Sequence, residues 1–186
     1  MREAGYVGGA PPQRWGGRSM AVAEENAVDG FAITASRESG VWRCGVLPPA
    51  VLESVESCVR ATRQQPGDGG ALGLVNISDE FFVVIRAVGG GDDVRLLLSD
   101  ATAALDWDFA ADVAQRLDED VDEDSAEDDL WPIGDLGILE DLGVSAGELR
   151  MIMDDVDLYA DEMLGLIARR LGFAEEFAQA LDTLPR

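Results

Sequence analysis

The side chains that could do chemistry in this 186-residue chain are overwhelmingly carboxylates. Thirty-seven Asp and Glu stand against 14 basic residues, every one an Arg, with two Cys and neither His nor Lys. Asp118, Asp120 and Asp122 fall at positions one, three and five of a calcium-loop pattern, with Asp129 at twelve. Such a loop needs Gly at position six, where Glu123 stands, and a bidentate Glu at twelve. The spacing therefore reads as a solvated acidic run. Asp154, Asp155, Asp157 and the pair Asp161-Glu162 could hold Mg²⁺ or exchange a proton. Acid–base work requires a carboxyl in an apolar pocket, whereas acids around a helix start serve its positive dipole end. The second role fits this spacing better. Gly89-Gly90-Gly91 lacks the strand-to-helix setting of a dinucleotide loop and is followed by Asp92 and Asp93, so it reads as a hairpin turn. Cys44 and Cys58 stand apart with no CxxC, and read as buried free thiols of a reducing compartment.

This inventory excludes whole classes of catalyst. Without His there is no Ser-His-Asp or Cys-His unit, and without Lys there is no Schiff base and no phosphate-loop lysine. No GxSxG elbow is present either. No cofactor and no metal is expected, and the chain reads as a protein that binds rather than one that reacts. The net charge of −23 repels nucleic-acid phosphates and anionic membrane surfaces and attracts basic protein surfaces. Direct nucleic-acid binding is not expected. The longest purely apolar run, Phe81 to Ile85, is far short of the ~20 residues that span a bilayer. No secretory h-region precedes it, and a cytoplasmic location is the expectation.

The elements that must position these residues follow from periodicity. Residues 1–19, rich in Gly and Pro, read as a disordered tail, with Met20 an equally acceptable translation start. Residues 20–117 read as an α+β domain. Two strands, around Phe31–Ala35 and Val41–Leu47, precede an amphipathic helix over about residues 50–64. Three strands follow, Leu72–Ile77, Phe81–Ala87 and Val94–Leu98, joined by loops short enough to favour antiparallel hairpins. A helix capped by Ser99 or Asp100 then carries Ala104, Leu105, Trp107, Phe109, Val113 and Leu117. The order ββαβββα predicts an antiparallel sheet with covering helices. Residues 118–130 read as an acidic linker, and 131–186 as a small C-terminal helical bundle. There, Trp131–Gly143 suggests a turn and a short helix, and Ser145-Ala-Gly-Glu148 a capping box opening a helix with Leu149, Ile152, Met153 and Val156 on one face. A further helix runs from about Leu158 to Arg170, stopped by Gly172, and Phe173, Phe177, Ala180 and Leu181 mark the last. A unit of ~50 residues is marginal alone, so it is expected to dock on the sheet or on a partner.

Five segments carry more than composition. Phe82-Val-Val-Ile-Arg86 and Val94-Arg-Leu-Leu-Leu-Ser-Asp-Ala-Thr-Ala-Ala104 resemble the central block of the tRNA adenosine deaminase-associated proteins of high-G+C bacteria. Trp131-Pro-Ile-Gly-Asp-Leu-Gly-Ile-Leu-Glu-Asp-Leu-Gly143, Asp155-Val-Asp-Leu-Tyr-Ala-Asp-Glu-Met-Leu-Gly165 and Ile167-Ala-Arg-Arg-Leu-Gly-Phe173 resemble its C-terminal block. The likeness covers about residues 28–182. It implies association, chiefly through gene neighbourhood, with the enzyme that converts wobble adenosine to inosine in tRNA. It implies no catalytic residue. The chain is not that deaminase, whose HxE…PCxxC zinc site has no counterpart in a sequence without His.

The expected function is thus a non-enzymatic, acidic accessory protein in tRNA modification. A deaminase that holds tRNA presents basic surface, and Asp118, Glu119, Asp120, Asp122, Glu123, Asp124, Asp128 and Asp129 would supply the field that finds it. Trp107 and Trp131 flank the run and would anchor the contact, although each also fits the apolar pattern around it. The alternative is a nucleic-acid mimic that regulates some other basic protein. A Mg²⁺-dependent hydrolase built only of carboxylates is the third reading.

Overall fold

The computed structural model describes residues 29–89, 93–122 and 131–184. The tail 1–19, the alternative start at Met20 and the loop residues Gly90, Gly91 and Asp92 lie outside them.

Among the described residues, six strands form one antiparallel sheet: β1 (Gly30–Glu38), β2 (Val41–Val46), β3 (Ala71–Ile77), β4 (Phe81–Ala87), β5 (Val94–Leu98) and β6 (Ile133–Gly134). Their spatial order is β2-β1-β3-β4-β5-β6. The α+β class, with helices covering the sheet and more helices at the C-terminal end, is as the sequence predicts. Both faces of the sheet are covered. Every residue of β3 and β4 is buried, which is why Phe81 to Ile85 is a continuous apolar run rather than an alternation.

One face carries Val75, Ile77, Phe81, Val83, Ile85 and Leu98. It lies beneath the helices α1 (Val55–Arg63) and α2 (Asp108–Arg116). The opposite face carries Ile33, Leu72, Leu74, Phe82, Val84 and Leu97. Against it pack α3 (Ala146–Met153), α4 (Ala160–Leu171) and α5 (Ala174–Asp182). The C-terminal helices thus share their core with the sheet, as a unit of that size requires. The Ser145 capping box forms as its residues dictate: the hydroxyl accepts from Glu148 N, and the Glu148 carboxylate accepts from Ser145 N. Gly172 closes α4 in the left-handed region, at φ 85°, where glycine is the favoured C-cap.

Four expectations on local structure are corrected. The single helix over 50–64 is two pieces, a 3₁₀ turn Pro49–Glu53 and then α1. Ser54 interrupts them in an extended conformation, and its side chain accepts from Ser57 N to start the second. The helix expected from Asp100 to Leu117 is likewise split into a 3₁₀ turn Ala101–Leu105, capped by Asp100, and α2. The break falls at Trp107, which is extended and packs its ring edge-to-face on Phe81 at 5.9 Å. The segment Trp131–Gly143 opens with strand β6, which pairs with β5, and ends in a 3₁₀ turn Glu140–Leu142. Val156, expected on the buried face of α3, lies beyond its last residue and is 88% exposed.

Candidate interaction surface

The acidic run begins where α2 ends. Asp118 is left-handed at φ 58°, and its N–H and that of Glu119 donate to the Gln115 and Ala114 carbonyls, closing the helix. Asp118, Glu119, Asp120 and Asp122 are exposed. Asp118, Glu119 and Asp120 line a hollow of about 360 Å³ together with Ala111 and Gln115 of α2. Glu123, Asp124, Asp128 and Asp129 lie outside the described residues. The chain is described again from Trp131, whose carbonyl accepts from Ala101 N at 2.7 Å. Trp107 and Trp131 are both half-buried and packed against the core between the sheet and α1 and α2. Leu117 before the run and Trp131 after it thus pack in one apolar layer, and Asp118, Glu119, Asp120 and Asp122 face solvent.

A second surface escaped the sequence reading. Six large apolar side chains are exposed among the described residues, and three of them, Met151 (75%), Val156 (88%) and Tyr159 (68%), fall within nine residues, from the last turn of α3 to the start of α4. Scattered exposed apolar residues are ordinary, but a concentration of them marks an interaction site. Asp154, Asp155 and Asp157 stand exposed in the same stretch. Only the absence of a helical partner for Val156 could have signalled it, because Val156 continues the apolar spacing of α3 by eye.

The carboxylates of this stretch act locally. Asp155 Oδ1 accepts from Asp157 N, Asp161 Oδ1 from Glu162 N, and Glu162 Oε2 from Tyr159 N. Burial, with Asp79 nearby adding repulsion, lifts the Asp161 carboxyl above its ordinary range. Glu148 is held below its ordinary range by the Ser145 N–H, then by the Ser145 hydroxyl, with Arg170 adding to it. No three His, Cys, Asp or Glu side chains are grouped to hold a metal among the described residues.

The sequence reading also missed an ion network on the face under the C-terminal helices. Arg86 and Arg95 are directly opposite across β4 and β5. Asp141 reaches both, at 2.7 Å from Arg86 Nη2 and 3.5 Å from Arg95 Nη2, and Asp135 pairs with Arg95 Nη1 at 3.0 Å. Arg95 also donates to the Ile138 carbonyl. Two like charges placed opposite in a sheet repel, and the turn that follows β6 supplies the counter-charges. Three of the five segments quoted for the resemblance, Phe82–Arg86, Val94–Ala104 and Trp131–Gly143, converge on this one cluster.

Both thiols are free, and burial pushes each up to about 12, with Glu176 adding to the effect at Cys44. The thiolate is the reactive form. Iodoacetamide at pH 8 is expected to leave the folded chain unmodified, read by intact mass, over a time in which the urea-unfolded chain takes two adducts. Adducts on the folded chain at the unfolded rate would contradict the packing of Cys44 and Cys58. No described helix is long and apolar enough to cross a membrane.

A family model described as the Rv3753c-like tRNA adenosine deaminase-associated protein matches residues 30–174. Protein Rv3753c of Mycobacterium tuberculosis (strain ATCC 25618 / H37Rv) is 44% identical over 169 residues, covering 90% of this chain and 96% of that relative. No solved structure matches the chain. The matched region spans β1 to α4, and with it the ion network, the rooted ends of the acidic run and the exposed stretch of Met151 to Tyr159. The chain belongs to the Rv3753c-like tRNA adenosine deaminase-associated protein family.

Proposed function

We propose that the protein is a non-enzymatic accessory that binds the tRNA adenosine deaminase in the cytoplasm and seats its own acidic surface on the basic surface that holds tRNA. The observation that carries this reading is the exposed stretch Met151–Tyr159, in which three large apolar side chains stand among carboxylates. Apolar anchors provide the affinity of an interface, and surrounding charge selects the partner and speeds encounter. A net charge of −23 selects a basic partner. The run 118–129 steers: Asp118, Glu119, Asp120 and Asp122, with Glu123, Asp124, Asp128 and Asp129 beyond them, create the field. Trp131 follows the run and Trp107 stands at the opposite end of α2 from it, and both offer accessible edges to the partner.

Titration against the deaminase at low and physiological salt separates the two contributions. Deleting 118–129 is expected to lower the association rate and flatten its salt dependence. The double variant Val156→Asp, Tyr159→Ser is expected to weaken affinity by about tenfold or more through faster dissociation. Because both side chains are exposed, its folding stability is expected to stay within about 0.5 kcal/mol of the parent. Affinity unchanged by the deletion removes the steering mechanism. Equal binding to several unrelated basic proteins favours the alternative, a nucleic-acid mimic acting on another partner.

A further inference from the structure

The cavity at the end of the sheet, beside Arg86, is built unlike the rest of this acidic molecule. It holds about 320 Å³, enough for a small ligand. Its floor is formed by Ala35, Leu72 and Arg86, all essentially inaccessible to solvent, and Trp42 and Leu142 add apolar wall. Trp42 is braced from behind by Phe173, ring centroids 4.7 Å apart, so its ring is held in place. Gly70 closes one corner at φ +89°, where a Cβ would run into the Ala87 carbonyl oxygen. The backbone therefore approaches as closely as glycine permits.

Arg86 is 2% exposed and has more donors than acceptors. A guanidinium carries five N–H donors. Nη2 uses its two on the Gly69 carbonyl at 2.8 Å and Asp141 at 2.7 Å, and Nη1 has only the Ala71 carbonyl at 3.5 Å. Nε has no partner. A buried donor left unpaired calls for a reason. The lining contains Arg86, Arg37 and Asp68, and Asp141 pairs with Arg86 beside it, so the cavity is close to neutral in a protein of net charge −23. Asp68 is further occupied by Ser39 N, and Arg37 lies over the Trp42 ring at 5.9 Å.

We propose that this cavity binds a small monocarboxylic acid with a flat apolar body. The carboxylate accepts from Nη1 of the Arg86 guanidinium, with Arg37 as the second cation at the mouth, and the body lies between Trp42 and the Leu72–Leu142 wall. A dianion such as phosphate faces Asp68 and Asp141 and finds too few donors. Arginine recognises carboxylates through its planar fork, and the apolar lining supplies the remaining affinity. This inference stands apart from the partner reading, since no described residue of the acidic run or of Met151–Tyr159 lines the cavity.

Titrating the full chain with benzoate, followed by two-dimensional ¹H–¹⁵N NMR, tests it. The expected result is saturable movement of two side-chain signals, the Trp42 indole N–H and the Arg86 Nε–H. Trp42→Phe assigns the first and Arg86→Lys the second. Benzamide, the neutral counterpart, is expected to bind about tenfold more weakly or worse. Arg37→Ala, on an exposed side chain that leaves the fold intact, is expected to weaken benzoate several-fold. Absence of saturable movement in the parent chain overturns the proposal, as does benzamide binding as well as benzoate. Phosphate displacing benzoate at equal concentration overturns the choice of a monocarboxylate.

Discussion

Phe173→Ala is expected to lower folding stability by about 4 kcal/mol, the range for deleting a fully buried aromatic ring. Phe173 precedes α5, is inaccessible to solvent, and packs against Trp42 of the edge strand β2. It joins the last helices to the sheet at a place where no covalent connection is near. The removed ring leaves a cavity bounded by Trp42 and by the carbonyl-anchored end of α4, where Phe173 N donates to Ala168. Those walls are held by other contacts and collapse little, so the cost stays near the upper part of the range. Urea unfolding followed by Trp fluorescence reads it. A loss under about 1 kcal/mol would mean that the C-terminal helices do not rest on the sheet as described.

Asp141→Ala is expected to cost about 3 kcal/mol, although Asp141 itself is 47% exposed. The cost arises at the other end of the pair. Arg86 is a buried charge and Arg95 stands directly opposite it, so removing the shared carboxylate leaves two guanidiniums facing one another across β4 and β5. Asp135→Ala is expected to cost less, about 1 kcal/mol, because Arg95, its one ionic partner among the described residues, is itself partly exposed and retains the Ile138 carbonyl. The comparison between the two variants isolates the buried charge. Equal losses for both would show that Asp141 acts as an ordinary surface pair. Arg86→Met, which removes the buried charge along with its need for a counter-ion, is expected to cost less than Asp141→Ala.

What the sequence disclosed and what it concealed divide along the range of the forces involved. The capping box at Ser145, the stop at Gly172 and the hairpins around Ser78–Glu80 and Ser39–Gly40 are decided by neighbours in the chain, and they stand in the structure where local chemistry puts them. The apolar faces of α4 and α5 were equally legible, because Leu164, Ile167, Ala168 and Phe177 repeat at the helical period and are buried. The breaks at Ser54 and Trp107 were concealed because apolar spacing continues across them. A contact with Phe81, far away in sequence, fixes the second. Arg86 was concealed for the same reason. An Arg at the end of an apolar run reads as the end of a strand, and its carboxylate partner comes 55 residues later. The acidic run was conspicuous by composition alone. The exposed stretch Met151–Tyr159 was not, since apolar residues beside a helix read as core until something shows that nothing covers them.

These pieces support the proposal of a family member that works by contact. A sheet covered on both faces holds the C-terminal helices in place, the ion network fixes the turn before α3, and the end of α3 with the segment leading to α4 presents Met151, Val156 and Tyr159 to solvent beside its carboxylates. Light scattering after size exclusion, with the full chain mixed with the tRNA adenosine deaminase of its own organism at low and physiological salt, tests that account most directly. The account predicts a co-eluting complex whose mass is the sum of the two components, larger in yield at low salt and lost when tRNA is added. Two separate peaks at both salts would contradict it.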